Sequence, residues 1–160
     1  MARTPEKAKG RKANGRFAGI PHAVMNHPDY IALSASAIRL LLELSYQYNG
    51  HNNGALSAVF SSLHRRGFNS KTTLAKSLRE LEEKRLMIRT RESRFLNPGR
   101  RCALYALTWL AIDECPGKEL DVRPTAVPPR SFTVDTIKTP GPVYGPSGTS
   151  LWTHGGGKHA

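Results

Sequence analysis

Between Arg65 and Arg101 the chain sets out a dense series of cationic and hydroxyl side chains: Arg65, Arg66, Asn69, Ser70, Lys71, Thr72, Thr73, Lys76 and Arg79, then Arg91, Arg94, Arg100 and Arg101. Threonine can meet a phosphate oxygen or a thymine methyl, and lysine and arginine can reach phosphates or the O6 and N7 of guanine. The other reactive residue types are not arranged for chemistry. His22, His27, His51, His64, His154 and His159 show neither an HExxH nor a paired-ligand spacing, and each reads as a surface or loop residue. Cys102 and Cys115 have no ligand-type neighbours at metal spacing. Cys102 reads as a half-buried strand residue and Cys115 as an ordinary thiol. Gly145-Pro-Ser-Gly-Thr-Ser150 lacks the lysine that a phosphate loop requires. With no Ser-His-Asp set and no paired carboxylates legible, the expectation is a protein that is not an enzyme and uses no metal or cofactor.

The charge points the same way as the residue types. Lys plus Arg number 24 against 12 acids, a net charge of +12, and the isoelectric point is about 10.2. So basic a chain concentrates near polyanions, either nucleic acid or an anionic membrane surface. The excess is uneven: residues 1–27 hold six bases and one acid, residues 28–113 thirteen and seven, residues 114–160 five and four. Residues 64–101 alone carry twelve bases against four acids. No run of apolar residues is long enough for a membrane span, and MARTPEKAKGRK has no apolar stretch of the secretory kind. Two cysteines are too few for a disulfide scaffold, which fits a reducing cytoplasm.

The elements that must hold these side chains follow from pattern and caps. A short helical turn is expected around Asp29–Leu33. Ser34 then caps a helix from Ala35 to about Tyr48, whose Ile38, Leu41, Leu42 and Leu44 predict burial on most of its circumference. Asn49-Gly50 stops it, and His51-Asn-Asn-Gly54 reads as a polar loop. A second helix is expected to open at Leu56-Ser57, with Ser57 as cap and Val59, Phe60 and Leu63 inward, and to end at Gly67. Ser70 caps a third helix, Lys71–Lys84, with Leu74, Leu78 and Leu81 at helical spacing. On a helical wheel Leu78 and Leu81 lie within about 40° of Leu74, opposite Thr72, Lys76, Arg79 and Glu83. The outward face is therefore hydroxyl and cationic first and acidic later. Leu86-Met-Ile-Arg-Thr-Arg and Cys102–Trp109 read as strands joined through the Asn97-Pro98-Gly99 turn.

Ser70-Lys-Thr-Thr-Leu74-Ala-Lys-Ser-Leu78-Arg-Glu-Leu81, with the strand start at Leu86–Ile88, resembles the winged helix-turn-helix family over roughly residues 35–110. A narrower likeness is to the DNA-binding domains of phage and plasmid replication initiators and small mobile-element regulators. The resemblance implies an α+β fold, a three-helix core plus a β-hairpin wing. It makes 71–84 the recognition helix for the major groove and 86–109 the wing on the flanking backbone or minor groove. The implied partner is double-stranded DNA, and the implied role is transcription regulation or replication initiation. The alternative is a winged-helix adaptor that contacts protein and has no DNA affinity; a homodimer is compatible with either.

Three regions follow: a flexible basic arm at 1–16, the winged helix-turn-helix domain at 17–112, and a Pro/Gly-rich, mostly disordered tail at 113–160. The arm is too polar to fold alone and could track phosphates. The tail, with a short strand expected near Phe132-Thr-Val, carries single aromatics at Val143-Tyr-Gly-Pro and Leu151-Trp-Thr that could dock on a partner protein.

Overall fold

The computed structural model describes residues 15–95 and 99–132. The elements run α1 (His22–Met25), α2 (Pro28–Ile31), α3 (Ala35–Gln47), β1 (Leu56–Ser57), α4 (Phe60–His64), α5 (Lys71–Glu83), β2 (Met87–Arg91) and β3 (Leu104–Leu107). The fold is α+β, with one antiparallel sheet in the order β1-β3-β2.

The two long helices start where their serines place them. Ser34 Oγ accepts the Ala37 amide at 3.3 Å, and Ser70 Oγ accepts the Thr73 amide at 3.3 Å. Each bond satisfies one of the amides that a helix start leaves without an internal partner. α3 packs on α5. Their buried leucines (Leu40, Leu41, Leu44, Leu74, Leu81) join Leu63, Leu86, Met87, Tyr105 and Leu107 in one core. Burial on α3 is narrower than its composition suggests. Leu40 is fully buried, whereas Leu42 is 45 % exposed and Tyr46, one turn on, 60 %. The neighbouring elements cover only one side of this helix.

The second helix does not open at Leu56-Ser57. These residues form β1, with Leu56 opposite Tyr105 and Ser57 opposite Leu104. The Gln47 side chain brackets Ser57: its Oε1 accepts the Ser57 amide and its Nε2 donates to the Ser57 carbonyl, both at 2.8 Å. Ser57 therefore spends its backbone on a strand and a glutamine, and α4 begins only at Phe60, without a side-chain cap. The pairing makes β3 the central strand, which explains why it is apolar on both faces and buried at every position.

The polar loop His51-Asn-Asn-Gly54 hides a core residue. Asn53 is fully buried. Its Oδ1 accepts the Leu107 amide at 2.8 Å, and its Nδ2 donates to the carbonyls of Leu107, Leu110 and Ala111. In β2 a register irregularity between Arg89 and Arg91 turns Thr90 inward, where its hydroxyl donates to the Gly54 carbonyl at 2.6 Å.

Order continues past residue 112, beyond the boundary expected from sequence. Asp113 N donates to Asn53 O and Asp121 N to Thr90 O, both at 2.8 Å, and Arg130 N donates to Thr108 O at 3.0 Å. The prolines and glycines here remove any periodic signal, but not the tertiary bonds that fix the segment. His27, expected as a surface or loop residue, lies in the turn between α1 and α2 and is half-buried. Its Nδ1 accepts the Asp29 amide, and Phe132 lies edge-on to its ring with centroids 5.4 Å apart. Cys102, expected half-buried, is exposed, because β3 starts two residues later. The arm up to residue 14, residues 96–98 with most of the turn expected there, and the tail from residue 133, with its aromatics and most of the strand expected there, lie outside the described residues. No helix among the described residues is long and apolar enough to cross a membrane.

Candidate nucleic-acid interface

α5 divides its circumference into three strips. Leu74, Ser77 and Leu81 are buried, and beside them Glu80 reaches α3, its two carboxylate oxygens accepting the Ser34 amide and hydroxyl at 2.6 Å each. On the other flank, Lys71, Leu74, Ala75 and Leu78 line a cleft of about 770 Å³ against the β2–β3 hairpin. On the same flank one turn later, Glu82 accepts from Arg89 Nε and Nη2 at 3.1 Å each. The remaining strip, Thr72, Lys76, Arg79 and Glu83, is exposed.

Two of the three acids of α5 are thus consumed inside the molecule, one clamping the start of α3 and one pairing with β2. Lys76 and Arg79 make no ion pair among the described residues: Glu80 and Glu82 are turned away, and Glu83, one turn after Arg79 on the same strip, is not paired with it. The first turn adds Ser70, Lys71, Thr72 and Thr73, all exposed, at the positive end of the helix dipole. Lys71 Nζ lies 5.6 Å from the centre of the Phe60 ring. Asn69 is exposed just before the cap, and Arg65, the C-cap of α4, is exposed as well.

Arg66 is exposed but held against α3 by its neighbours. Its Nε is paired with Glu43, and its guanidinium stacks 4.4 Å over Tyr46. The hydrogen bond to Glu43 holds Arg66 above its ordinary pKa. Gly67 follows at φ +96°, and a Cβ there would collide with the Arg39 guanidinium, which donates to the Arg66 carbonyl at 2.5 Å. The turn between α4 and α5 therefore requires glycine for its conformation, whereas the Arg39 guanidinium, at the end of a flexible side chain, could give way to a Cβ.

The four hairpin arginines separate into two pairs. Arg91 donates to the carbonyl of Cys102 from Nε and Nη2, and to that of Lys118 from Nη1. Arg101 is only 16 % exposed and pairs with Glu119 and Asp121 at 3.3 Å each. These two brace the hairpin against the 113–132 segment. Arg94 and Arg100 are exposed, make no ion pair among the described residues, and stand on the hairpin wall of the α5 cleft. Phe95, between them in the chain, is 80 % exposed. Sequence reasoning passed over it, although an aromatic flanked by arginines ahead of an Asn-Pro-Gly turn is itself a signal.

The structure thus brings Lys71, Thr72, Thr73, Lys76 and Arg79 together on α5, flanks them with Arg94 and Arg100, and removes Arg66, Arg91 and Arg101 into structural roles. Among the described residues no group of three or more His, Cys, Asp or Glu could hold a metal ion. Comparison with protein-family models, curated proteins and solved structures finds no match to the chain.

Proposed function

We propose that the chain is a winged helix-turn-helix protein that binds double-stranded DNA, with α5 in the major groove and the β2–β3 hairpin as its wing. The observation that carries this reading is the exposed strip of α5. It keeps Thr72, Lys76 and Arg79 at the surface, while Glu80 and Glu82 are bound to Ser34 and Arg89. A merely solvated helix face has no need to sort its charges in this way. The order of the core elements supports the same reading: α3, α4 and α5 followed by a hairpin is the arrangement the family resemblance implies.

In this reading the N-terminal half of α5 meets base edges, and Glu83 stays at the groove's mouth. Arg65 and the first-turn amides hold phosphates on one side, and Arg94 and Arg100 hold them beyond the cleft. The role is regulation of transcription, or initiation of replication for a phage, plasmid or mobile element. The test is fluorescence anisotropy on duplex selected from a random pool by the wild-type protein. Lys76→Ala with Arg79→Ala should abolish selective binding while the fold is retained by circular dichroism. Unchanged affinity in the double variant would remove α5 as the reading element.

A further inference from the structure

The hairpin presents an aromatic ring that has no stacking partner among the described residues. Phe95 is 80 % exposed, and among the described residues no aromatic ring or cation is stacked on it. Tyr46, also exposed, lies under Arg66. Phe95 follows directly on the Arg94–Arg101 bridge, whose backbone bonds of 2.9 and 3.0 Å fix the hairpin at that point. The ring is thus presented from a braced position, with the exposed Arg94 before it and the exposed Arg100 across the hairpin. Phe95 itself lines the hairpin side of the cleft that faces α5, a cleft lined also by Ala58 and Val59.

These features match one feature of duplex DNA. With α5 in the major groove, the sugar-phosphate strand bordering that groove passes along the cleft. The end of the hairpin then meets the adjacent minor groove. We infer that Phe95 is a wedge: it enters the minor groove and slides partly between two base pairs, so that binding kinks the duplex. Arg94 and Arg100 hold the flanking phosphates while the ring replaces the stacking that the step loses. Unstacking is easiest at pyrimidine–purine steps, and the bend opens the minor groove toward the protein. The inference rests on the proposed DNA binding and adds deformation of the DNA to it.

The experiment uses the full chain and a 30-base-pair duplex rich in TA and CA steps at low salt, with fluorophores at both ends and 2-aminopurine replacing one central adenine. Wild type should shorten the end-to-end distance and raise 2-aminopurine emission severalfold. Phe95→Ala should bind roughly tenfold more weakly and leave the duplex straight and the probe quenched. Phe95→Leu, which keeps an apolar wedge, should restore part of both signals. Because Phe95 is exposed, thermal melts of the variants should overlay the wild type. Binding by wild type with no bend, or a bend that persists in Phe95→Ala, overturns the wedge and leaves DNA binding standing. An effect of Phe95 on single-stranded DNA alone also overturns it. No duplex binding by wild type overturns both the wedge and the functional reading.

Discussion

At the scale of single residues, exposure and partners separate the cations that can act on a ligand from those that hold the fold. Lys76 and Arg79 have no internal partner among the described residues, so replacing either with alanine should leave the unfolding midpoint within about 0.5 kcal/mol of wild type. Each should cost about 1–3 kcal/mol on a specific DNA site if the side chain meets a base, seen as relaxed specificity at one position. An equal loss on every sequence would assign the side chain to phosphate. Asn53 is the opposite case. Asn53→Ala strands the buried Leu107 amide and the carbonyls that Nδ2 serves, and should destabilise by roughly 2–3 kcal/mol in urea unfolding. The residue list for the site was legible as a region, because cation and hydroxyl types cluster there. It was not legible one arginine at a time. The side chain of Arg101 is set apart from that of Arg100 by Glu119 and Asp121, acids 18 and 20 residues further along the chain.

At the scale of elements, helix ends were readable because their causes are local. Ser34, Ser70 and Gly67 act within a few residues of themselves. β1 was not readable, since two residues become a strand only when β3, nearly fifty residues later, offers an edge. The ends of α4 and α5 invite a comparison. Both close with an amide reaching back five residues, Phe68 N to Leu63 O and Leu86 N to Leu81 O, each at 3.0 Å. The left-handed position is Gly67 in the first and Arg85, at φ +53°, in the second. An L side chain in that conformation costs on the order of 1 kcal/mol. Arg85→Gly should accordingly raise stability by up to about 1 kcal/mol, whereas Gly67→Ala should lower it by about 1 kcal/mol or more, because φ +96° lies beyond the left-handed region that an L side chain tolerates. Thermal melts of the two variants check both signs.

At the scale of the whole molecule, the 113–132 segment closes the domain through Arg130. Its guanidinium donates to Asp29 Oδ2 and the Lys84 carbonyl at 2.6 Å each, and stacks 4.5 Å over Phe132. It joins α2 to the C-terminus of α5, where a cation also complements the helix dipole. The hydrogen bond from Arg130 holds the Asp29 carboxyl below its ordinary 3.8. The unfolded chain therefore takes up this proton at higher pH than the folded one. The contribution of the pair is complete above the unfolded value and is lost as pH falls through 3.8 and the lower folded value. Urea midpoints of wild type and Asp29→Asn should differ at pH 6, and the difference should shrink as pH falls below 3.8; a constant difference would deny the ion pair its part. None of this was visible in the sequence, because the clasp joins residues a hundred positions apart and its own stretch has no period.

The whole-molecule charge supplies the most direct test of the central proposal. If Arg65, Lys71, Arg94 and Arg100 neutralise phosphates while Lys76 and Arg79 meet bases, each of the four releases counterions from the duplex. A plot of log Kd against log salt for one labelled duplex should then rise with a slope of at least roughly 3.5. The slope should drop by about 2 in a variant lacking both Arg94 and Arg100. A flat plot, or no binding at the lowest salt, would contradict the account.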